Sequence, residues 1–176
     1  MIRRFDLNLN ADADTLPANR LGDWYANLVN IGPQRWVLCL SEKSNLPVLV
    51  PALRWEFPHA FPIHLGLVLR AIGVPADVAA QECDLSSSFR FGKTLSRSTL
   101  GSLNDMASHI DHELRHRNDP VAAAAALSEM PCRIPNVIFP GEAVFELLGI
   151  AELYDRDRVR RMFNGRWAGL GKQTSA

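Results

Sequence analysis

Cysteine is scarce: Cys39, Cys83 and Cys132 are three in 176 residues, and no two form a C-x-x-C pair. An odd, widely spaced set builds neither a disulfide framework nor a structural zinc site, and it fits a reducing, cytoplasmic compartment. Net charge is missing too, with 19 Lys and Arg against 19 Asp and Glu. A neutral chain has no whole-molecule pull toward nucleic acid or anionic lipid, although a local patch can still supply one. The longest apolar runs, at 46–53 and 61–69, fall well short of the ~20 residues of a membrane helix. Residues Met1 to Asn8 carry charge without the apolar stretch of a secretory signal. The sequence has no G-x-S-x-G elbow of the kind hydrolases use. Gly92-Lys93-Thr94 resembles the end of a phosphate-binding loop, but that pattern needs glycine at position 87, where Ser87 stands. No internal repeat is visible.

What is present suits a globular domain. Apolar residues make up 47% of the chain, too many for a disordered segment. We expect one domain over 1–164 and a flexible C-terminal tail over 165–176, where glycines and a Ser-Ala end reduce order. Trp24 to Ile31 and Arg35 to Leu40 read as two strands broken by Gly32-Pro33, a hairpin signal. Residues 46–53 read as a third strand, at an edge because of Pro47 and Pro51. Helical spacing of Phe61, Leu65, Val68, Leu69 and Ile72 predicts a helix over 61–73, stopped by Gly73. Further helices are expected at 75–83, 98–117, 120–126, 141–148 and 152–163, and Phe89-Arg90-Phe91 as a fourth strand. Strands first and helices later predict an α+β fold. It comprises a small antiparallel sheet, an N-terminal meander plus one later strand, with helices packed mainly on one face.

The richest chemistry lies on the 98–117 helix. Asp105, His109, His112 and His116 recur at i, i+4, i+7 and i+11 and share one helical face. Imidazoles with a carboxylate can hold a divalent metal. The apolar row Leu103, Met106, Ala107, Ile110 and Leu114 centres on the opposite side, so the histidines are expected to face water. No internal metal site and no cofactor are therefore expected, with a surface site at His109, His112 and His116 as the lesser alternative. Ser96, Arg97 and Ser98 at the start of the helix supply hydroxyls and a guanidinium beside unpaired backbone N–H groups. That set can cradle an anion, or simply cap the helix. Cys83 lies between Glu82 and Asp84, whose charges discourage a thiolate, while Cys132 precedes Arg133 and is expected to be mildly activated. The segment from Glu152 carries six basic against three acidic residues. It includes Arg156, Arg160, Arg161 and Arg166, a local route to nucleic acid.

Two segments together resemble a known family. One is Trp24-Tyr25-Ala26-Asn27-Leu28 with the strand that follows. The other is Phe91 to Ser98 running on through Gly101-Ser102-Leu103-Asn104-Asp105. They resemble small bacterial and plasmid-borne proteins that share a domain of unknown function, marked by a W-x-x-N hairpin and an N-R-S-x-x-G-S-x-N-D helix start. Here Ser96 replaces the asparagine. The likeness covers about residues 1–117. It implies no activity and transfers no catalytic role, but it points to Trp24, Asn27, Arg97, Ser98, Asn104 and Asp105 as ligand-binding candidates. Since no catalytic set assembles, the expected function is a cytosolic binding or regulatory module for a protein partner or an anionic ligand. Two alternatives stand beside it. One is an enzyme acting on a phosphate or nucleotide substrate through Asp105 and a nearby histidine. The other is nucleic-acid binding through the C-terminal arginines.

Overall fold

A computed structural model describes residues 19–52, 56–89, 97–132 and 139–157, with the side chains of Arg97 and Ser98 outside that description. Three strands, β1 (Trp24–Ile31), β2 (Gln34–Ser41) and β3 (Pro47–Pro51), form an antiparallel meander in the order β1-β2-β3. Ile31 pairs with Gln34 across the two-residue turn Gly32-Pro33. Gly32 has φ of +58°, and proline fixes a negative φ behind it, the combination a tight hairpin needs. The prolines of β3 sit at its two ends, where Pro47 faces Leu40 and Pro51 faces Trp36. A missing N–H costs little at those positions.

Five α-helices follow among the described residues: α1 (Phe57–Ala71), α2 (Ala76–Leu85), α3 (Arg97–Arg117), α4 (Pro120–Ser128) and α5 (Pro140–Leu147). Together with the meander they make the α+β fold that the sequence predicts. Helix α1 begins four residues before the expected Phe61. Pro58 lies in its first turn, where no N–H is required, and Pro62 removes only one early hydrogen bond. Gly73, at φ +101°, closes the helix as Val74 N–H returns to Leu69 O at 2.9 Å. Asp119 caps α4, accepting from Val121 N–H at 2.8 Å and Ala122 N–H at 3.2 Å.

The sheet is covered on both faces, because alternate residues of β2 point opposite ways. Val37 and Cys39 join Val48, Val50, Phe61, Leu65, Val68 and Leu69 in one core, with Phe145 and Leu148 behind them. Trp36, Leu38 and Leu40 join Leu49, Leu103, Met106, Ile110 and Leu114 in the other. Helices α1, α2 and α5 thus lie on one side, the expected main face, and α3 covers the second. Helix α4 touches both cores, through Ala124 on one side and Ala123 with Leu127 on the other. The expected fourth strand, 89–91, falls mostly outside the described residues. Phe89 lies outside any strand and packs edge-on against Phe57 and Phe61, while Arg90 and Phe91 are outside the described residues. The predicted tail, 165–176, and most of the 152–163 helix also lie outside them. What is described there is a 3-10 turn, Ala151–Leu153, followed by Arg156 and Asp157 in helical conformation.

Polar groups tie the loops to this frame. Glu82 of α2 is 1% exposed and accepts Leu21 N–H at 3.1 Å and Arg20 N–H at 3.3 Å. Arg20 Nη1 reaches Leu148 O at 2.8 Å. In the β2–β3 turn, Ser44 Oγ donates to Ser41 Oγ at 2.8 Å, and Ser41 Oγ donates to Leu21 O at 2.7 Å. These bonds satisfy groups that burial would otherwise leave unpaired.

Candidate functional site

Helix α3 is amphipathic over 21 residues. Leu103, Met106, Ile110 and Leu114 are buried against the sheet, each contributing about 1.5–3 kcal/mol by leaving water. Asn104, Asp105, His109, His112 and His116 are exposed on the other side. The expected orientation, apolar row in and imidazoles out, is therefore the one found. Among the described residues no group of three or more His, Cys, Asp or Glu side chains is gathered to hold a metal. Two ion pairs run along the helix, Arg115 Nε to Asp111 Oδ1 at 2.9 Å and Arg117 Nε to Glu113 Oε2 at 2.8 Å. Asn104 and Asp105 have no hydrogen bond or ion pair among the described residues.

The six candidate residues do not form one site. Trp24 shares a sheet face with its cross-strand partner Ser41 and packs edge-on against Phe61, with ring centroids 4.9 Å apart. Asn27 is three residues on, so it faces the opposite way, with Leu38 and toward α3. The hairpin motif thus splits. Its tryptophan belongs to an aromatic cluster with Phe57, Phe61 and Phe89, and its asparagine to the side that carries α3. Arg97 and Ser98 form the first turn of α3. Asn104 and Asp105 stand about two turns further along. Asn27 and α3 thus lie on the same side of the sheet. The runner-up enzyme set, Asp105 with His109, lies on the exposed face of this helix.

The cysteines are poor nucleophiles. Burial raises the Cys39 thiol. Cys83 is pushed up to about 11, first by burial and then by Glu82 and Asp84. The expected activation of Cys132 is corrected. Burial raises it, and the Asn45 amide, at 3.9 Å from Sγ, only partly opposes that. Of the C-terminal cations, Arg156 pairs with Glu142 through Nη2, and Arg160, Arg161 and Arg166 lie outside the described residues, as do Gly92, Lys93 and Thr94. A small recess of about 70 Å³ lies between Ile72, Gly73, Glu129, Phe145 and Tyr154. It is far below the ~300–1,000 Å³ of a small-molecule site.

Glu82 is a buried anchor that the sequence barely signals. Its only signal is spacing: it lies three residues after the buried Ala79, on the inward side of α2. His64, half-buried on α1, is likewise barely signalled. Burial lowers its pKa, and a hydrogen bond with the Leu49 backbone partly offsets that.

The chain belongs to DUF6933, a domain of unknown function, whose family model matches residues 5–143. That span takes in the whole sheet, α1 through α4 and the first turn of α5. No curated protein and no solved structure matches the chain.

Proposed function

We propose that this chain is a cytosolic, non-catalytic binding module that engages a protein partner through the first half of α3, with a small anionic ligand as the narrower form of the same reading. The observation that carries it is the state of Asn104 and Asp105. Both are exposed on a rigidly seated helix, and neither is engaged by any described residue. A carboxylate and an amide held in fixed positions, with their hydrogen-bonding capacity unspent, suit recognition. The backbone N–H groups at the start of α3 add capacity for negative charge, and the sequence supplies an arginine, Arg97, in that first turn. The cytosolic setting is supported by three free cysteines with suppressed reactivity. It also agrees with the finding that no helix among the described residues is long and apolar enough to cross a membrane.

Site-specific photocrosslinking tests this in cells that express the chain. A crosslinker at position 104 is expected to capture one defined protein, and one at exposed Asp77 on α2 is not. Arg97→Ala with Ser98→Ala should abolish the capture while leaving the melting temperature nearly unchanged. In parallel, inorganic phosphate is titrated into wild type and double variant. Saturable binding lost in the variant supports the anionic form. No capture at 104 together with no phosphate binding refutes the proposal, and a large fall in melting temperature shows that Arg97 and Ser98 are structural.

A further inference from the structure

The far end of α3 carries a different pair. His112 and His116 are four residues apart, so they stand one turn above the other on the exposed face. Side chains at this spacing have Cβ atoms about 5–6 Å apart, close enough for two imidazole nitrogens to meet one ion at ~2.0–2.1 Å. Buried Ile110 and Leu114 fix this stretch of helix against the sheet, so the spacing is preset. The cations that would repel a metal are already engaged. Arg115 Nε lies 2.9 and 3.0 Å from the two Asp111 oxygens, and Arg117 is held by Glu113. His116 is also in the last turn, where unpaired backbone carbonyls favour positive charge.

We infer that His112 and His116 form a two-imidazole chelate on the surface of α3 for a divalent late-transition ion: copper, nickel or zinc. Neutral imidazole is a ligand these ions prefer. Two protein ligands leave the remaining positions to water or to donors from a bound partner. This agrees with the lack of a three-residue cluster among the described residues. His112 and His116 stand about 10 and 16 Å along the helix from Asp105, and about 22 and 28 Å from Arg97, at ~1.5 Å per residue. The pair is therefore a separate site from the one proposed above, and either can fail alone.

The test uses tag-free protein titrated calorimetrically with Cu²⁺, Ni²⁺ and Zn²⁺. Expected is one ion per chain in the micromolar range, with copper tightest. His112→Ala or His116→Ala should each weaken binding about tenfold or more, and His109→Ala by less than about threefold. Alanine at an exposed helix position favours the helix, so these variants fold. Hydrogen exchange gives an independent reading, because bridging one turn should slow exchange of the amides from 113 to 117 when Ni²⁺ is added. Absence of saturable binding overturns the inference. So does binding that survives in both variants, or a loss in His109→Ala as large as in His116→Ala.

Discussion

At the scale of single residues, the structure rests on a few buried polar atoms. Glu82 is the clearest. Its two oxygens hold the N–H groups of Arg20 and Leu21, fixing the chain just before β1. Glu82→Ala removes both acceptors and leaves the Leu21 N–H buried, at a cost of about 1–3 kcal/mol. Glu82→Gln keeps one accepting oxygen and should cost less. Urea unfolding of the two variants checks the order, and an unchanged midpoint for Glu82→Ala would remove the anchor. Little of this was legible in the sequence. A glutamate beside Cys83 and Asp84 reads as a solvated charge, because its partner amides lie 61 and 62 residues away in the chain. The cysteine environment was half legible. Charges adjacent in sequence could be read for Cys83, but burial, which depends on the fold, dominates all three thiols and reversed the expectation for Cys132.

At the scale of elements, α1 and α2 approach through a glycine. A Cβ added at Gly66 would stand 3.1 Å from Cys83 Sγ. Two effects compete on Gly66→Ala. Helix propensity favours alanine by up to about 1 kcal/mol, while overpacking costs ~1–3 kcal/mol. The single variant should therefore be neutral to destabilised. Combined with Cys83→Ala, which vacates the space, it should be stabilising relative to Cys83→Ala alone. Thermal unfolding of all four members of the cycle measures the coupling, and strict additivity would show that the thiol does not limit the approach. Local patterns served well at this scale. The two runs about the Gly32-Pro33 break and the apolar run over 46–53 located the three strands of the sheet, and 3.6-residue spacing located α3 to within one residue. The faces of β1 were not legible. Trp24 and Leu28 pack with the α1 side, whereas Trp36, Leu38 and Leu40 pack with α3, so like patterns on adjacent strands face opposite ways. Only the register, Trp24 with Ser41 and Val29 with Trp36, decides that.

At the scale of the whole molecule, the packing of α1 on the sheet carries a pH dependence. Burial holds the His64 imidazole below its ordinary value. The unfolded chain takes up that proton near pH 6.5, while the folded chain resists it. The unfolded state thus binds more protons over this window. The His64 contribution is complete above about pH 6.5 and is lost as the pH falls toward the lower folded value. His64→Gln should flatten the decline in denaturant midpoint between about pH 7 and 5. Parallel profiles for variant and wild type would exclude His64 as the source.

Helix α4 joins the two halves of the molecule. Ala123 and Ala124 are neighbours in the chain, both fully enclosed, yet they look into different cores. A run of the smallest apolar side chain is what lets one rod slip between two packed layers. A single added methyl at either position would press on its own layer and, through the rigid rod, on the other. Two alanines in an unassuming stretch accordingly have little room for anything larger.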